Sequence, residues 1–177
     1  HIIVTVQPKD AEYFHDEIRY VVSPFPKETF TVDGDFDFPE DEYFKKPKSY
    51  MFDQVNAIYG NIVYPLSKTP GIKTNAIANN HEQAFFRFEL GELDITPSRE
   101  ELSFDEQTVK TILEKVNTKN AEIIEENRKT YLSLIEAKKY RHALRFAYNL
   151  PGGIRSDVLM GTTEVDSSMI LDGLNYI

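Results

Sequence analysis

Residues 92–116 constrain the fold of this chain most, because a strand pattern gives way to a helix pattern within them. Residues 84–90, just before them, are mostly aromatic and apolar, as is typical of a β-strand. Near the end of the segment, apolar residues recur at helical spacing, at Val109, Ile112, Leu113 and Val116. We predict that 92–116 is a strand edge that turns through Ser-Arg-Glu at 98–100 into a helix, in a soluble α/β part of a larger intracellular protein.

Length and composition limit the classes of protein to which this chain can belong. A chain of 177 residues has room for one domain, or for one domain and part of a neighbour, and we favour the second. It opens with an apolar, β-branched run at 1–6 and no initiator methionine, which predicts entry into a strand of a longer protein. No apolar run approaches the roughly 20 residues that span a bilayer. The absence of cysteine excludes disulfides and thiolate chemistry within the chain and fits a reducing compartment.

Charge and histidine spacing narrow the candidate partners. A net charge of −9 argues against a general binder of phosphate backbones, so nucleic acid is not an expected partner. A local basic stretch at 138–145 nevertheless surrounds Tyr140 with cations, a pattern that suits a nucleic-acid or anionic-lipid contact. The alternative is that 138–145 forms a helix face that is exposed to solvent and binds no partner. The four histidines lack the spacing of metal ligands, so no metal site is predicted.

The first half of the chain predicts a helix, a linker and a hairpin. Asp10 is a candidate N-cap for a helix whose apolar stripe includes Phe14 and Ile18. Residues 31–48 mix proline, acidic and aromatic residues, which indicates a linker. Residues 50–66 favour two strands joined at Gly60-Asn61.

The second half predicts a strand followed by helices. An exposed loop at 68–81 leads into strand 84–90, which we expect to pair with 93–95 or a neighbour. The helix that contains Val109 should be separated by 117–120 from a second helix with a stripe at Ile123, Ile124, Tyr131, Leu134 and Ile135. A third helix over 138–150 should stop at Pro151, followed by two glycines.

Arg99 is the residue that the helix start does not explain. Ser98 with Glu101, and Ser103 with Glu106, each match a capping box, so capping accounts for these side chains. An arginine in the first helical turn faces the positive end of the helix dipole, which is unfavourable unless an anion lies nearby. Such a position suits a phosphate. The alternative is an ion pair with one of three acidic neighbours, Glu89, Asp94 or Glu100.

These residues resemble a known segment. Residues 94–102 are similar to the Ser-Arg-Glu segment in the middle domain of heat-shock-ninety chaperones, members of the GHKL ATPase superfamily, although Thr96 stands where the chaperones usually have asparagine. In those chaperones the arginine reaches the γ-phosphate of ATP held by the neighbouring domain. The resemblance implies that Arg99 is a catalytic arginine, which stabilises charge on the transferred phosphoryl group.

A fuller resemblance is to phage rIIA-type proteins, GHKL ATPases linked to lysis control, and it is carried by 2–22, 60–65 and 91–100. It implies an α+β fold of the ribosomal-S5-domain-2-like transducer type, a sheet with helices on one face followed by a helical extension. The implied division is the end of an ATPase domain at 1–30, a linker at 31–48, a middle or transducer domain at 49–137, and a helical extension and tail at 138–177.

Related transducers extend a loop lysine to the γ-phosphate. By that resemblance Lys68 and Lys73 are candidate nucleotide-binding residues. The alternative is that both are solvated loop lysines.

The resemblance also implies how the chain takes part in ATP hydrolysis. The Glu-x-x-x-Asn and Asp-x-Gly-x-Gly motifs of GHKL pockets are absent, so we expect ATP and Mg²⁺ to bind in an upstream domain and this chain to be inactive alone, without a cofactor. Its role would be to couple ATP binding to conformational change in lysis inhibition.

The implied partners are that ATPase domain, a second copy of the chain, and a host or phage protein. The implied location is the host cytoplasm, peripheral to the inner membrane. The alternatives are a chaperone-like or type II topoisomerase-like middle domain that binds a client protein or DNA, and a non-enzymatic interaction domain in which Arg99 is paired within the fold.

Overall fold

The computed structural model describes residues 5, 7–22, 41–48, 52–74, 76–78 and 81–162. After a 3₁₀ turn at Pro8–Asp10, the elements are α1 (Ala11–Val22), β1 (Tyr43–Pro47), β2 (Val55–Tyr59), β3 (Ile62–Pro65), β4 (Glu82–Phe88), α2 (Glu106–Glu136), α3 (Tyr140–Asn149) and α4 (Gly152–Leu159). The predicted α+β class is confirmed, and so is the helix after Asp10. The strand predicted at the start of the chain and the tail after 162 lie outside the described residues.

The four strands form one mixed sheet in the order β1-β4-β2-β3. β4 pairs antiparallel with β1 and parallel with β2, while β2 and β3 are antiparallel. Of the two predicted alternatives for β4, pairing with 93–95 is not found, because β1 and β2 occupy both of its edges. Ile95 instead forms an isolated antiparallel bridge with Leu102.

The predicted hairpin at Gly60-Asn61 is confirmed. Tyr59 pairs with Ile62, which leaves a two-residue loop between β2 and β3. Gly60 has φ +60° and Asn61 is not in the left-handed region. Positive φ at the first loop residue alone is the pattern of a type II′ turn, whose twist matches that of the flanking strands.

Two segments predicted to lack regular or buried structure contribute to the sheet and its core. Residues 43–47, assigned from composition to the linker, form strand β1. The loop predicted to be exposed contains buried residues, among them Thr69 at 3% and Ile77 at 0% exposure. This loop connects the edge strand β3 to β4, which lies beyond β2 in the sheet, and its residues Ile77 and Ala78 pack in the apolar cluster with the strands.

α2 is one continuous helix of 31 residues, so the predicted break at 117–120 is wrong. That stretch contains no proline or glycine, and the propensity penalties of asparagine and threonine are a few tenths of a kcal/mol each. Packing on either side overrides them. Val116 belongs to a cluster under the sheet, and Ile123 packs against a second cluster formed with α3 and α4.

The two clusters divide the apolar core. The first joins one face of the sheet to the loop after β3, to Leu93 and Leu102, and to Ile112 and Val116 of α2. The second consists of buried residues of α2, α3 and α4 together with Ala76. Phe44, Ile58 and Phe85 form a small third cluster on the opposite face of the sheet.

The helices after α2 pack through arginines as well as apolar residues. α3 lies within the predicted range, but the two glycines after Pro151 begin α4 instead of ending α3 in an open turn. Arg128 of α2 donates to the carbonyl oxygen of Asp157 at 2.5 Å, at the carboxyl end of α4, where a cation also suits the helix dipole. No helix in the described part of the chain combines the length and apolar character needed to cross a bilayer.

Candidate functional site

The Ser-Arg-Glu segment lies in a tight loop, not at a helix start. The bridge between Ile95 and Leu102 closes this loop, which we call the Arg99 loop (residues 95–102). The backbone N–H of Thr96 donates to Glu101 O at 3.0 Å, and the N–H of Arg99 donates to Thr96 O at 2.9 Å. These bonds fix the backbone around Arg99.

Arg99 occupies the left-handed region with φ +62°. For a residue with a Cβ this conformation costs on the order of 1–2 kcal/mol, so the surroundings must hold it in place. One such contact is the hydroxyl of the buried Tyr64, which donates to Arg99 O at 3.1 Å. The backbone of Arg99 is therefore anchored to β3 while its side chain is exposed.

The Arg99 side chain has no ion-pair partner among the described residues. The alternative of a pair with Glu89, Asp94 or Glu100 is thus not realised. Its charge is still felt within the protein: burial raises the pKa of the Tyr64 hydroxyl, and the nearby Arg99 charge acts in the opposite direction. The guanidinium is available to an anion from outside the described residues.

Ser98 and Glu101 do not cap α2, so the first predicted capping box is wrong. The Ser98 hydroxyl lies 3.1 Å from the hydroxyl of Thr96 inside the Arg99 loop. Glu101 forms an exposed ion pair with Lys68, with Nζ and Oε1 3.0 Å apart. These contacts support the loop that presents Arg99.

The true N-cap of α2 is Asp105, which the sequence analysis missed. Its Oδ1 accepts the backbone N–H of Thr108 and its Oδ2 accepts the Thr108 hydroxyl, both at 2.9 Å. Thr108 Oγ1 in turn accepts the N–H of Asp94 at 2.9 Å, which ties the base of the Arg99 loop to α2. The backbone hydrogen bond from Thr108 is the largest cause of the lowered pKa of Asp105. The box of Ser103 and Glu106 is therefore also wrong, although an aspartate ahead of an apolar helical stripe was a usable signal.

The structure separates the two candidate lysines. Lys68 contacts the Arg99 loop through Glu101, so it shares a surface with Arg99. Lys73 lies beside α2, where its carbonyl accepts from Asn120 Nδ2 at 2.6 Å, and its side chain is exposed. Of the two, Lys68 is the one placed near Arg99.

Two clefts lie along α2, and neither is lined by Arg99, Lys68 or Lys73. The first, of about 680 Å³, lies between β1 and α2 and carries four carboxylates and two lysines, with Tyr43, Phe86 and Thr118 completing the lining. Its lysines are engaged: Lys115 donates to Arg87 O at 2.5 Å, and Lys119 pairs with Glu122 at 2.9 Å. The second is a shallow surface over the first turns of α2. No cluster of three or more potential metal ligands occurs in the ranges that the structure describes.

Comparison of the chain with protein-family models, with curated proteins and with solved structures finds no match. The assignment of a function therefore depends on the residues and their geometry.

Proposed function

We propose that this chain is the middle or transducer part of a phage rIIA-type GHKL ATPase, and that Arg99 reaches the γ-phosphate of ATP held in an upstream domain. The observation that carries the proposal is an exposed arginine, unpaired among the described residues, at a left-handed position of a hydrogen-bonded loop. Left-handed non-glycine residues cluster at functional sites, where the rest of the structure maintains the strain.

The geometry suits charge stabilisation. An arginine contributes most to phosphoryl transfer when its backbone is already in place, because little reorganisation is then needed as charge develops. The Arg99 loop meets this condition through its own backbone bonds, Tyr64, and the link from Asp94 to Thr108. Lys68 is the second proposed phosphate contact; it would exchange Glu101 for the phosphate when the two domains close.

The proposed role is coupling. An arginine that binds the γ-phosphate only in the closed arrangement links nucleotide state to the position of the Arg99 loop, and through Thr108 to α2. The loop would thereby transmit ATP binding to downstream helices in a homodimer engaged in lysis control. ATP and Mg²⁺ would be held by the upstream domain.

The alternative is that the Ser-Arg-Glu turn has only a structural role. It requires Arg99 to be paired within the fold, whereas the guanidinium is exposed and has no ion-pair partner in the described ranges. This observation favours an external anion.

The test is Arg99→Ala in the longer protein that joins this chain to the proposed ATPase domain. We expect kcat for ATP hydrolysis to fall at least about 100-fold while the Kd for ATP changes little, because the lost contact acts mainly on the transition state. Steady-state turnover and equilibrium nucleotide binding measure the two quantities.

Two controls separate chemistry from folding. Arg99→Gly relieves the left-handed strain and should lose activity without losing stability. Glu100→Ala changes an exposed neighbour in the same loop and should retain turnover. If Arg99→Ala hydrolyses ATP at the wild-type rate, the proposal fails.

A further inference from the structure

The outer side of α3 carries a stripe of cationic and apolar residues. Arg141, Leu144, Arg145 and Tyr148 follow one another at spacings of three, one and three residues, which places them on the same side of a helix. All four are exposed, Leu144 at 36% and Tyr148 at 77%. The opposite side of α3, with Ala143 and Ala147, is buried in the helical cluster. We call the exposed set the α3 stripe.

The exposed ring of Tyr148 is supported on one side by Arg155. The Arg155 guanidinium lies 5.5 Å from the centre of the Tyr148 ring. Arg155 Nη2 also donates to Tyr148 O at 2.6 Å and to Leu150 O at 3.3 Å, so the guanidinium is held in position by the carboxyl end of α3. One side of the ring therefore rests on a cation, and the exposed remainder is open to a planar group.

The charge of this surface opposes that of the chain as a whole. α3 contains no acidic residue, and Lys138 and Lys139 immediately precede it, although the net charge is −9. Screening limits charge effects to about 10 Å at moderate salt, so the local cations decide what binds here. The surface is complementary to a small, flexible anion and less so to an extended duplex of high charge density.

We infer that the α3 stripe binds single-stranded nucleic acid, with one base stacked on Tyr148 and adjacent phosphates contacted by Arg145 and Arg141. At a rise of about 1.5 Å per residue, the two arginines lie about 4.5 and 10.5 Å along the helix axis from Tyr148. A stacking platform beside cations that follow the backbone is how proteins bind single strands without sequence preference. Neither cleft described above includes a residue of α3, and a flexible strand can follow an exposed helix side without a cleft.

The experiment measures fluorescence anisotropy of labelled oligothymidylate and oligouridylate of about 12 nucleotides with the full chain. For two phosphate contacts, log K should fall with log salt with a slope of about −1.4. Arg141→Gln with Arg145→Gln should abolish this dependence and weaken binding at low salt at least about 10-fold. Tyr148→Ala should weaken binding about 5-fold or more, whereas Tyr148→Phe, which keeps the ring, should bind as the wild type does.

A matched control is Lys110→Gln with Lys129→Gln, which removes two exposed cations from α2 and changes the net charge equally. It should bind as the wild type does, and circular dichroism verifies that each variant is folded. The inference is overturned by no binding at low salt, by equal loss in the control, or by a Tyr148→Ala variant that binds normally. It is also overturned if a duplex, polyglutamate or phosphatidylserine vesicles bind the stripe in preference to the single strand. None of these results bears on Arg99.

Discussion

Asp105 sets the start of α2 with both of its carboxylate oxygens. One accepts a backbone N–H that the helix leaves unpaired, and the other accepts the hydroxyl of the same residue, Thr108. Because Thr108 also binds the backbone of Asp94, this carboxylate orients the base of the Arg99 loop as well as the helix.

The lowered pKa of Asp105 predicts a pH dependence of stability. Between the lowered folded value and the unfolded value of about 3.9, the unfolded chain binds more protons, so stability must rise with pH there. We expect the capping contribution to be complete above the unfolded pKa and to be lost as the pH falls through the folded one.

Asp105→Asn provides the comparison, because asparagine also caps helices but does not titrate. Urea unfolding midpoints from neutral to acidic pH should show the wild-type advantage shrinking below about pH 4. A difference between the two proteins that stays constant across this range would contradict the prediction.

Some residues of the candidate site could be predicted from the sequence and others could not. The sequence indicated Arg99 because a cation in the first turn of a helix is unfavourable next to the positive end of the helix dipole. The predicted position of that helix start was wrong. Ser98, Ser103 and Asp105 are all good cap residues, and the choice among them depends on the tertiary bond between Thr108 and Asp94. No local pattern contains that bond. The left-handed backbone of Arg99 was equally hidden, because it depends on closure of the loop across Ile95 and Leu102.

Both edge strands of the sheet end in a proline. β1 ends at Pro47 and β3 at Pro65, and proline has no N–H to offer a further strand. β1 adds Lys45 and Lys46 beside its proline. Both edges are thus poor templates for pairing with another chain.

Elements with local signals were predictable, and those that depend on distant partners were not. The β2–β3 hairpin follows from its turn residues, and α1, α3 and the two halves of α2 follow from their apolar spacing, whereas α4 was not predicted. β1 was read as linker because Tyr43 to Pro47 becomes a strand only by pairing with Glu82 to Phe86, far along the chain. The continuity of α2 was missed because polar residues at 117–120 are held helical by packing on both sides.

Continuity of α2 can be tested at Thr118, an exposed residue in its middle. Thr118→Pro removes a helical hydrogen bond and clashes with the preceding turn, so the free energy of unfolding should drop by about 3 kcal/mol or more. Thr118→Ala, by contrast, should match or slightly exceed the wild type in urea unfolding. A proline variant as stable as the wild type would mean that 117–120 is a linker after all.

At the scale of the molecule, α2 belongs to two packed units. Its first half contributes Ile112 and Val116 to the sheet cluster, and its second half contributes the buried Tyr131 to the helical cluster. The division between the two clusters therefore falls within α2, and the domain border expected after 137 stays a prediction.

Removal of the residues after Ala137 tests this division. The sheet cluster contains no residue of α3 or α4 and should persist, while Tyr131 loses its cover. We expect a helical signal lower than loss of α3 and α4 alone explains, because the second half of α2 unwinds, together with binding of a hydrophobic dye. Circular dichroism and dye fluorescence measure both effects.

The matched control ends at Thr162 and keeps both helices. It should retain the helical signal of α2, α3 and α4 and bind no dye. Undiminished helicity of α2 in the shorter chain, without dye binding, would show that its second half is stable alone.

The length of α2 has a mechanical consequence. Its 31 residues extend over about 46 Å, with the Arg99 loop tied to one end and α3 packed towards the other. As a stiff rod, it would convert a tilt of about 5° at the loop into a displacement of about 4 Å at the far end. A small tilt of α2 at the Arg99 loop would thus move the α3 stripe by several ångströms.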